Sequence, residues 1–392
     1  MPSKKRSLSV PGLVTLVFCA VLVASSGGVA RASLRPAAAP HAMTIKIGWA
    51  GPLSGDQAYF GQSWLNGVKL AAQTFKFSGK LAGALVRVIP LDDAADPAQG
   101  VTVAHRLVAQ GVDGVIADFN SGVTLASEPI YHAADIPQIT NSSNPRITAR
   151  GYDNIVQLIA NDNIQGGFMA TFARKTLHIK SVAVFNDSAA FGQGVSSTFA
   201  AAAAKGGATV VGGNTALSPT SQDYTGALSP VLAKHPDAIY FGGVATGGGL
   251  LCRQARAAGF KGPFMGPDGL FDPAFIKGCG PSIGTAYVSF QAPPYTASQT
   301  LREFAQTYKV KFGSLAGPYS LYGYDEMGFL LTAINAAGTT SHMAVIGKLH
   351  RITYNSILGT LYINASGQLQ HAPIYVYKVA GSTFKLVMGG RG

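Results

Sequence analysis

The sequence predicts an α/β protein built from two doubly wound, parallel-sheet halves, on three observations. The chain has 392 residues, more than a single hydrophobic core usually organises, so two lobes are expected. Hydrophobic residues make up 47% of the chain and charged residues 12%, which provides material for sizeable cores and argues against disorder. Short apolar runs alternate with segments of helical periodicity, and this alternation is typical of βαβ units.

The first half begins at Thr44, after an alanine- and proline-rich stretch. Trp64, Val68 and Phe75 recur at helical spacing and so predict a helix. The predicted elements of this half are strands over residues 45–49, 85–91, 112–118 and 136–140, and helices over residues 62–75 and 97–110. The apolar run over residues 155–159 marks the end of this half.

The second half repeats the alternation of strand and helix. Its predicted elements are strands over residues 181–185, 208–211, 238–241 and 263–266, and an alanine-rich helix over residues 194–204. Residues 374–377 and 384–388 predict a closing β-hairpin. No short repeat period is visible in the sequence, so a solenoid is not expected.

The N-terminus has the composition of an export signal. The positive stretch Lys4-Lys5-Arg6 precedes an apolar run over residues 13–24, which is short for a membrane span. Ala30-Arg31-Ala32 fits a small-x-small cleavage site. We therefore predict a signal peptide over residues 1–32, a flexible leader over residues 33–43, and a periplasmic or otherwise extracytoplasmic location. An uncleaved membrane anchor is the alternative.

Cysteine use agrees with an oxidising compartment. Cys252 and Cys279 lie beyond the predicted signal peptide, and two cysteines in such a compartment are candidates for a disulfide. Two buried free thiols are the alternative. Cys19 is an alternative lipidation site, although Phe18 stands where lipidation needs a small residue.

The formal net charge of +12 does not point to nucleic acid as a partner. Part of it belongs to the N-terminus, and the other Lys and Arg residues are scattered. The sequence contains no dense basic run and no recognised nucleic-acid-binding motif. We therefore interpret the charge as a basic surface.

Residues directly after the strands are candidate ligand contacts, because ligands of open parallel sheets bind beyond the carboxyl ends of the strands. Phe119, Asn120 and Ser121 follow the third strand, and Asn141 and Ser143 follow the fourth. Hydroxyls and free N–H groups at a helix start form a good seat for a carboxylate. Helix capping alone is the alternative.

Asp268 follows a strand of the second half, and its carboxylate is suited to an ammonium group. The alternative is a residue of an Asp-Gly turn. Phe60, Phe191 and Tyr319 are candidate aromatic walls of a cleft, with ordinary core positions as the alternative.

Sequence motifs of catalysis are missing. The chain contains no nucleophile elbow, no G-x-x-x-x-G-K-S/T loop and no dinucleotide fingerprint. Asp92, Asp93 and Asp96 form an acidic cluster after a strand, which we interpret as a turn, with a cation site as the alternative. No enzymatic activity, cofactor or metal is therefore predicted.

Several short motifs, in their order and spacing, resemble those of the branched-chain amino-acid-binding proteins (Leu/Ile/Val type) of ABC transporters, which have the type I periplasmic-binding fold. The resemblance runs from about residue 45 into the closing hairpin. The motifs are Gly51-Pro-Leu-Ser-Gly55, Asp92-Asp-Ala-Ala-Asp-Pro97, Asn144-Pro145, Arg150-Gly151-Tyr152, Asp223-Tyr224, Arg253-Gln254-Ala255, Phe264-Met-Gly-Pro-Asp-Gly269 and Gly317-Pro318-Tyr319.

This resemblance implies two lobes that are joined by three crossing segments and close on a ligand like a hinge. Lobe 1 would contain residues 44–160 and 292–358, and lobe 2 would contain residues 161–291 and 359–392. An exported, monomeric solute-binding protein is then expected, which passes an amino acid or a similar small molecule to an ABC permease. The alternative is a periplasmic sensor, or a binder of amides or aromatic acids that reports to a regulator.

The resemblance also implies roles for the candidate residues. Ser121 and Ser143 match positions that hold the ligand's α-carboxylate, and Asn141 matches a position that contributes its backbone. Asp268 matches the acid that holds the ligand's ammonium, which is Glu in the Leu/Ile/Val binders.

The aromatic candidates match walls of the family's cleft: Phe60 and Tyr319 in one lobe and Phe191 in the other. Val244 is a departure, because the Leu/Ile/Val binders carry a tyrosine there. The smaller side chain implies a roomier pocket and leaves the identity of the ligand open.

Overall fold

The computed structural model describes residues 43–391, so the predicted signal peptide and nearly all of the predicted leader lie outside the described residues. The first stretch of the chain forms a parallel sheet with strand order β2-β1-β3-β4-β5. Its strands are Thr44–Gly51 (β1), Leu85–Asp92 (β2), Gly114–Ile116 (β3), Gln138–Thr140 (β4) and Ile155–Gln157 (β5), and its helices are Ala58–Thr74 (α1), Pro97–Ala109 (α2), Ser121–Ala133 (α3) and Arg146–Ala149 (α4).

The chain then crosses to a second sheet. This stretch contains, in chain order, Asp162–Lys175 (α5), Ser181–Asn186 (β6), Ala190–Lys205 (α6), Thr209–Ala216 (β7), Thr225–Leu232 (α7), Ala238–Gly242 (β8), Ala245–Ala257 (α8), Phe264–Gly266 (β9), Pro273–Cys279 (α9) and Ala286–Phe290 (β10). Strands β6 to β10 pair in parallel with one another, so the alternation predicted for this half is confirmed.

The last stretch returns to the first sheet and then to the second. Its elements are Gln299–Phe312 (α10), Ser320–Ala337 (α11), His342–Leu349 (α12), Tyr354–Ser356 (β11), Gly359–Leu361 (β12), Pro373–Ala380 (β13) and Thr383–Arg391 (β14). The antiparallel pair β13–β14 is the predicted closing hairpin, and it completes a sheet of order β14-β13-β10-β9-β8-β6-β7. The chain thus passes between the two sheets three times.

Helices cover both faces of each sheet, which confirms the doubly wound arrangement. Helices α1 and α11 pack together on one face of the first sheet, and α2 and α3 pack on the other. In the second sheet α5 and α6 cover one face, while α8 and α9 cover the other. Each lobe therefore has its own apolar core on both sides of its sheet.

Helix α2 shows how local sequence sets an element. The side chain of Asp96 accepts a hydrogen bond of 2.8 Å from the backbone N–H of Gln99, and Pro97 occupies the first turn. Val103, Ala104 and Leu107 are fully buried at helical spacing. The cap and the apolar stripe together explain why this helix was predicted within one residue of its observed bounds.

Element bounds differ from the prediction at several places. Helix α1 begins at Ala58 rather than at residue 62, and the apolar stripe of Trp64 and Val68 extends back to Phe60, which is buried in the same core. Strand β3 spans only Gly114–Ile116 of the predicted 112–118. Strand β10, Ala286–Phe290, was not predicted.

Cys252 and Cys279 form a disulfide, with a Cα–Cα distance of 5.2 Å. The bond joins α8 to α9, and both cysteines are buried in the core of the second lobe. The predicted pairing is confirmed, and the alternative of two free thiols is wrong.

The predicted lobe boundaries, near residues 160, 291 and 359, stay predictions, because a hinge is defined by motion between lobes. Among the described residues, no single helix has the length and apolar character that a membrane span requires. The helices Ser320–Ala337 and His342–Leu349, which are bent by 116° relative to each other, meet these two requirements only when they are taken together.

Candidate functional site

The carboxyl ends of strands β3, β4, β8 and β9 carry the candidate residues, and the loops that follow these strands face one another across a cleft. All ten predicted residues line one cavity there, which we call the inner cavity. Its lining consists of Gln57, Phe60, Phe119, Asn120, Ser121, Asn141, Ser143, Phe191, Val244, Asp268, Gly269 and Tyr319. The strand-end rule supplied the polar candidates of both lobes, whereas Phe60, Phe191 and Tyr319, which lie at helix starts, were proposed as aromatic walls and Val244 came from the family resemblance.

One wall of the inner cavity is the N-terminus of α3. Ser121 is the first residue of this helix and is 2% exposed, and its Oγ accepts a hydrogen bond of 3.3 Å from the backbone N–H of Asn144. Ser143, 4% exposed, lies on the neighbouring loop after β4. Unpaired N–H groups and the positive end of the helix dipole make this wall electropositive, so it favours an anionic group.

Asn120 and Gln57 form the rim of that wall. Nδ2 of Asn120 donates a hydrogen bond of 2.7 Å to Oε1 of Gln57. The buried Oδ1 of Asn120 has no hydrogen-bond partner among the described residues. That oxygen is therefore free to accept a hydrogen bond from a ligand.

The side chain of Asn141 is engaged away from the cavity. Its Nδ2 donates a hydrogen bond of 2.7 Å to Oε1 of Glu326, and Nε1 of Trp64 donates one of 2.5 Å to the other carboxylate oxygen. Burial raises the pKa of Glu326 to about 8, although both of these hydrogen bonds oppose the rise. The backbone of Asn141 is thus the part left to face a ligand.

Asp268 faces the α3 wall from the second lobe and is 5% exposed. Its Oδ2 accepts a hydrogen bond of 2.7 Å from the hydroxyl of Tyr319, and its Oδ1 accepts one of 3.0 Å from Nε2 of Gln165. Burial raises the pKa of Asp268, and these hydrogen bonds only partly offset that effect. No cationic side chain of the described residues pairs with it, so a cationic ligand would supply the missing countercharge.

A second buried carboxyl lies beside Asp268. Asp162 begins α5 and is completely buried, and its carboxyl interacts with the hydroxyl of Ser143, which lowers its pKa against the larger effect of burial. Burial raises its pKa to about 8, and the charge of Asp268 adds to the rise. Two neighbouring buried carboxyls ionise together only at high cost, so a bound cation would favour the ionised form of Asp268.

Aromatic rings close the apolar side of the cavity. Tyr319 stands edge-on to Phe60 and Phe119, with centroid distances of 5.1 and 4.7 Å, and Phe60 stacks on Phe119 at 5.8 Å. On the opposite side, a Cβ at Gly269 would lie 3.1 Å from the ring of Phe191 and 2.4 Å from the carbonyl oxygen of Gly243. Glycine is therefore required for this close approach.

The carboxylates of the acidic cluster at the end of β2 accept hydrogen bonds from backbone N–H groups. Asp92 accepts hydrogen bonds from the N–H groups of Leu53 and Ala94, and Asp93 accepts one from Ala95. Together with the cap formed by Asp96, these contacts agree with a turn and a helix start. No cluster of metal-ligating side chains occurs within residues 43–391.

Some site residues escaped the sequence analysis. Gln57 follows β1 and would have been found by applying the strand-end rule to that strand as well. Gly269 adjoins Asp268 and was part of a quoted motif. Gln165 and Glu326, which hydrogen-bond to site residues, lie inside helices α5 and α11, where no local signal marks them.

Two α/β lobes with a polar and aromatic cleft between them define a bilobal solute-binding protein. The chain belongs to the periplasmic binding protein family, whose model matches residues 44–383. It is similar to the Leu/Ile/Val-binding protein homolog 3 of Brucella melitensis biotype 1, with 28% identity over 338 residues, which cover 85% of this chain and 91% of that protein.

Solved structures show the same fold. The leucine-binding protein LivK from Thermotoga maritima has a TM-score of 0.82 and 27% identity, covering 88% of this chain and 98% of its own. An ABC-transporter solute-binding protein from R. palustris, solved in complex with benzoate, has a TM-score of 0.78 and 18% identity. The match covers 89% of this chain and 96% of that protein. The type I periplasmic-binding fold expected from the sequence motifs is confirmed.

Proposed function

We propose that this chain is the extracytoplasmic solute-binding protein of an ABC importer, and that it captures an α-amino acid in the inner cavity by closure of its lobes. Its relatives are binding proteins, so the proposed role is reversible binding without turnover. The expected partners are the small-molecule ligand and a membrane permease, with the binding protein acting as a monomer.

The observation that carries this proposal is the placement of Asp268. Its buried carboxylate has neutral hydrogen-bond donors, Tyr319 and Gln165, and no paired cation among the described residues. A ligand ammonium would complete this site. The electropositive start of α3, with Ser121 and Ser143, lies on the other side of the same cavity and would take a carboxylate. An α-amino acid carries both charged groups on one carbon.

Hinge closure is supported by contacts that already join the lobes. Besides the bond between Tyr319 and Asp268, Nδ2 of Asn144 donates a hydrogen bond of 2.9 Å to the carbonyl oxygen of Ala190 at the start of α6. A ligand that binds both walls would stabilise the closed arrangement through its differential affinity for that state.

The test is a calorimetric titration of purified protein that has been unfolded and refolded to remove carried ligand. Leucine, N-acetyl-leucine and 3-methylbutylamine would be compared, because the second lacks the ammonium and the third lacks the carboxylate. We expect leucine or another α-amino acid to bind and both truncated analogues to bind at least tenfold more weakly, since each leaves a charged wall unpaired. Equal binding of N-acetyl-leucine and leucine would overturn the ammonium site.

An aromatic acid is the second candidate ligand, favoured by the ring cluster of Phe60, Phe119 and Tyr319. The relative from R. palustris was solved with benzoate. The two ligand classes differ in pH dependence. An ammonium group binds ionised Asp268, whose pKa is raised by burial, so amino-acid affinity should rise with pH as this carboxyl ionises, whereas a carboxylate without an ammonium should bind better when Asp268 is protonated.

A further inference from the structure

A second, larger cavity adjoins the inner one and shares Gln57 and Val244 with it. We call it the outer cavity. Its volume is about 530 Å³, against about 30 Å³ for the inner cavity. Asp56 and Gln57, at the start of α1, border it from the first lobe, while α8 and α9 border it from the second. Both lobes thus contribute to it, as they do to the inner cavity.

The space left in the inner cavity is too small for a long side chain. Its space of about 30 Å³ is near that of one or two water molecules. Phe60, Phe119 and Tyr319 back it with rings that pack on one another. Val244, by contrast, is a small residue, and together with Gln57 it lies where the two cavities meet.

Two cations stand on the second-lobe side of the outer cavity. Arg253 lies on α8 and Lys277 on α9, and both side chains are exposed. Neither side chain forms a hydrogen bond or an ion pair with another of the residues from 43 to 391. Unpaired Arg and Lys side chains beside a cavity are suited to a carboxylate, which arginine binds through paired N–H groups.

Two acids also border the outer cavity. Asp187 is engaged with the backbone, because its Oδ1 accepts a hydrogen bond of 3.0 Å from the N–H of Ala189, and burial raises its pKa to about 6. Asp56 is exposed on the first lobe, opposite the two cations. The free positive charge is therefore concentrated on α8 and α9.

We propose that the outer cavity is a second ligand subsite, which holds the terminal carboxylate of an elongated, dicarboxylic α-amino acid while the inner cavity holds its α-amino and α-carboxyl groups. The ligand side chain passes beside Val244 and ends at Arg253 and Lys277. This inference rests on the proposed function, because it places the amino-acid head group at Asp268 and Ser121.

The test is calorimetry on the whole protein with aspartate, glutamate, 2-aminoadipate and 2-aminopimelate, compared with norleucine and 2-aminoheptanoate as neutral ligands of similar length. We expect one of the longer diacids to bind at least about tenfold more tightly than its neutral counterpart. The double variant Arg253→Gln and Lys277→Gln should abolish that preference and leave norleucine affinity within twofold. Lys309→Gln, an exposed lysine on α10, is the matched control for loss of surface charge.

A second variant tests the route rather than the charge. Val244→Tyr should narrow the passage and lower the affinity for the preferred diacid. A wild-type protein that binds neutral amino acids with no preference for any diacid would overturn the second subsite and leave the proposed function standing. If no α-amino acid binds at all, both the proposed function and the subsite fall.

Discussion

The hydroxyl of Tyr319 donates a hydrogen bond of 2.7 Å to Oδ2 of Asp268, and the two residues belong to different lobes. Tyr319 directly precedes α11, which packs on the first sheet, while Asp268 follows β9 of the second. If the lobes separate as we propose, opening would break this bond and expose Asp268 to water. Because burial raises the pKa of Asp268, opening would also favour its ionisation, and the protonation of this carboxyl would then be coupled to the position of the lobes.

Asp268→Asn should weaken α-amino-acid binding by about 2–5 kcal/mol, because the ligand ammonium would lose its charged partner in a buried site. Asparagine keeps the size of the side chain and an oxygen that accepts from Tyr319 or Gln165. The melting temperature of the free protein should therefore change little. Calorimetric titration and thermal unfolding of the same preparation measure both quantities.

The matched control for that variant is Asp272→Asn, four residues further along. Asp272 caps α9 through a hydrogen bond of 2.7 Å from the N–H of Ala274, and asparagine is an equally good cap. The affinity of the Asp272→Asn variant for the α-amino acid should stay at the wild-type value. Loss of affinity in both variants would show that the local fold, and not the charge of Asp268, is responsible.

Gly269→Ala should lower the free energy of unfolding by about 1–3 kcal/mol and weaken ligand binding, because the new methyl group would overlap the Gly243 carbonyl oxygen at 2.4 Å and approach Phe191. Gly167→Ala is the contrasting control. Gly167 lies within α5 with open space around its Cβ position, so alanine should raise the free energy of unfolding by about 0.5–1 kcal/mol. Urea unfolding of both variants checks the opposite signs.

Removal of the disulfide by the double change Cys252→Ala and Cys279→Ala should lower the free energy of unfolding by about 2–4 kcal/mol, because the bond closes a loop between residues separated by 27 positions. Urea unfolding with and without a reductant measures the effect. Reductant should destabilise the wild type and leave the double variant unchanged. If complete reduction of the disulfide left the urea unfolding midpoint of the wild type unchanged, the bond would have no stabilising role.

Stability should fall as the pH rises from 5 to 9. Burial raises the pKa of Asp162 and Glu326 to about 8 and that of Asp325 to about 7, while their ordinary values are 3.8 for Asp and 4.5 for Glu. Above about pH 5 the folded state therefore binds more protons than the unfolded state, so the free energy of unfolding decreases with pH. The stabilising contribution is complete below the unfolded pKa values and is lost as the pH passes 7 to 8.

Urea unfolding at one-unit pH intervals measures this slope. In Glu326→Gln one titrating group is gone, so stability between pH 6 and 9 should decline less steeply than in the wild type. A wild-type profile that is flat or rises over this interval would mean that these carboxyls are already ionised in the folded protein.

The strand-end rule led to polar residues of the inner cavity because it depends only on local signals. Ser121 and Ser143 follow apolar strands, and parallel strands bring their carboxyl ends to one edge of a sheet whatever the rest of the chain does. The opposition of Asp268 to α3 came only as an implication of the family resemblance. Sequence spacing alone could not decide whether Asp268 is a ligand contact or a turn residue, because either role is compatible with an Asp before a Gly.

Local sequence determined the elements with strong periodicity or clear caps, such as α2 with Asp96 and Pro97, and it determined the chemistry available at each strand end. Tertiary structure alone decided that Glu326 turns the amide of Asn141 away from the cavity, that Gln165 and Tyr319 hold Asp268, and that Val244 separates two cavities. These contacts join residues 51 to 185 positions apart, or depend on the distance between two lobes. Such separations leave no trace in local pattern, because packing of the whole chain sets them.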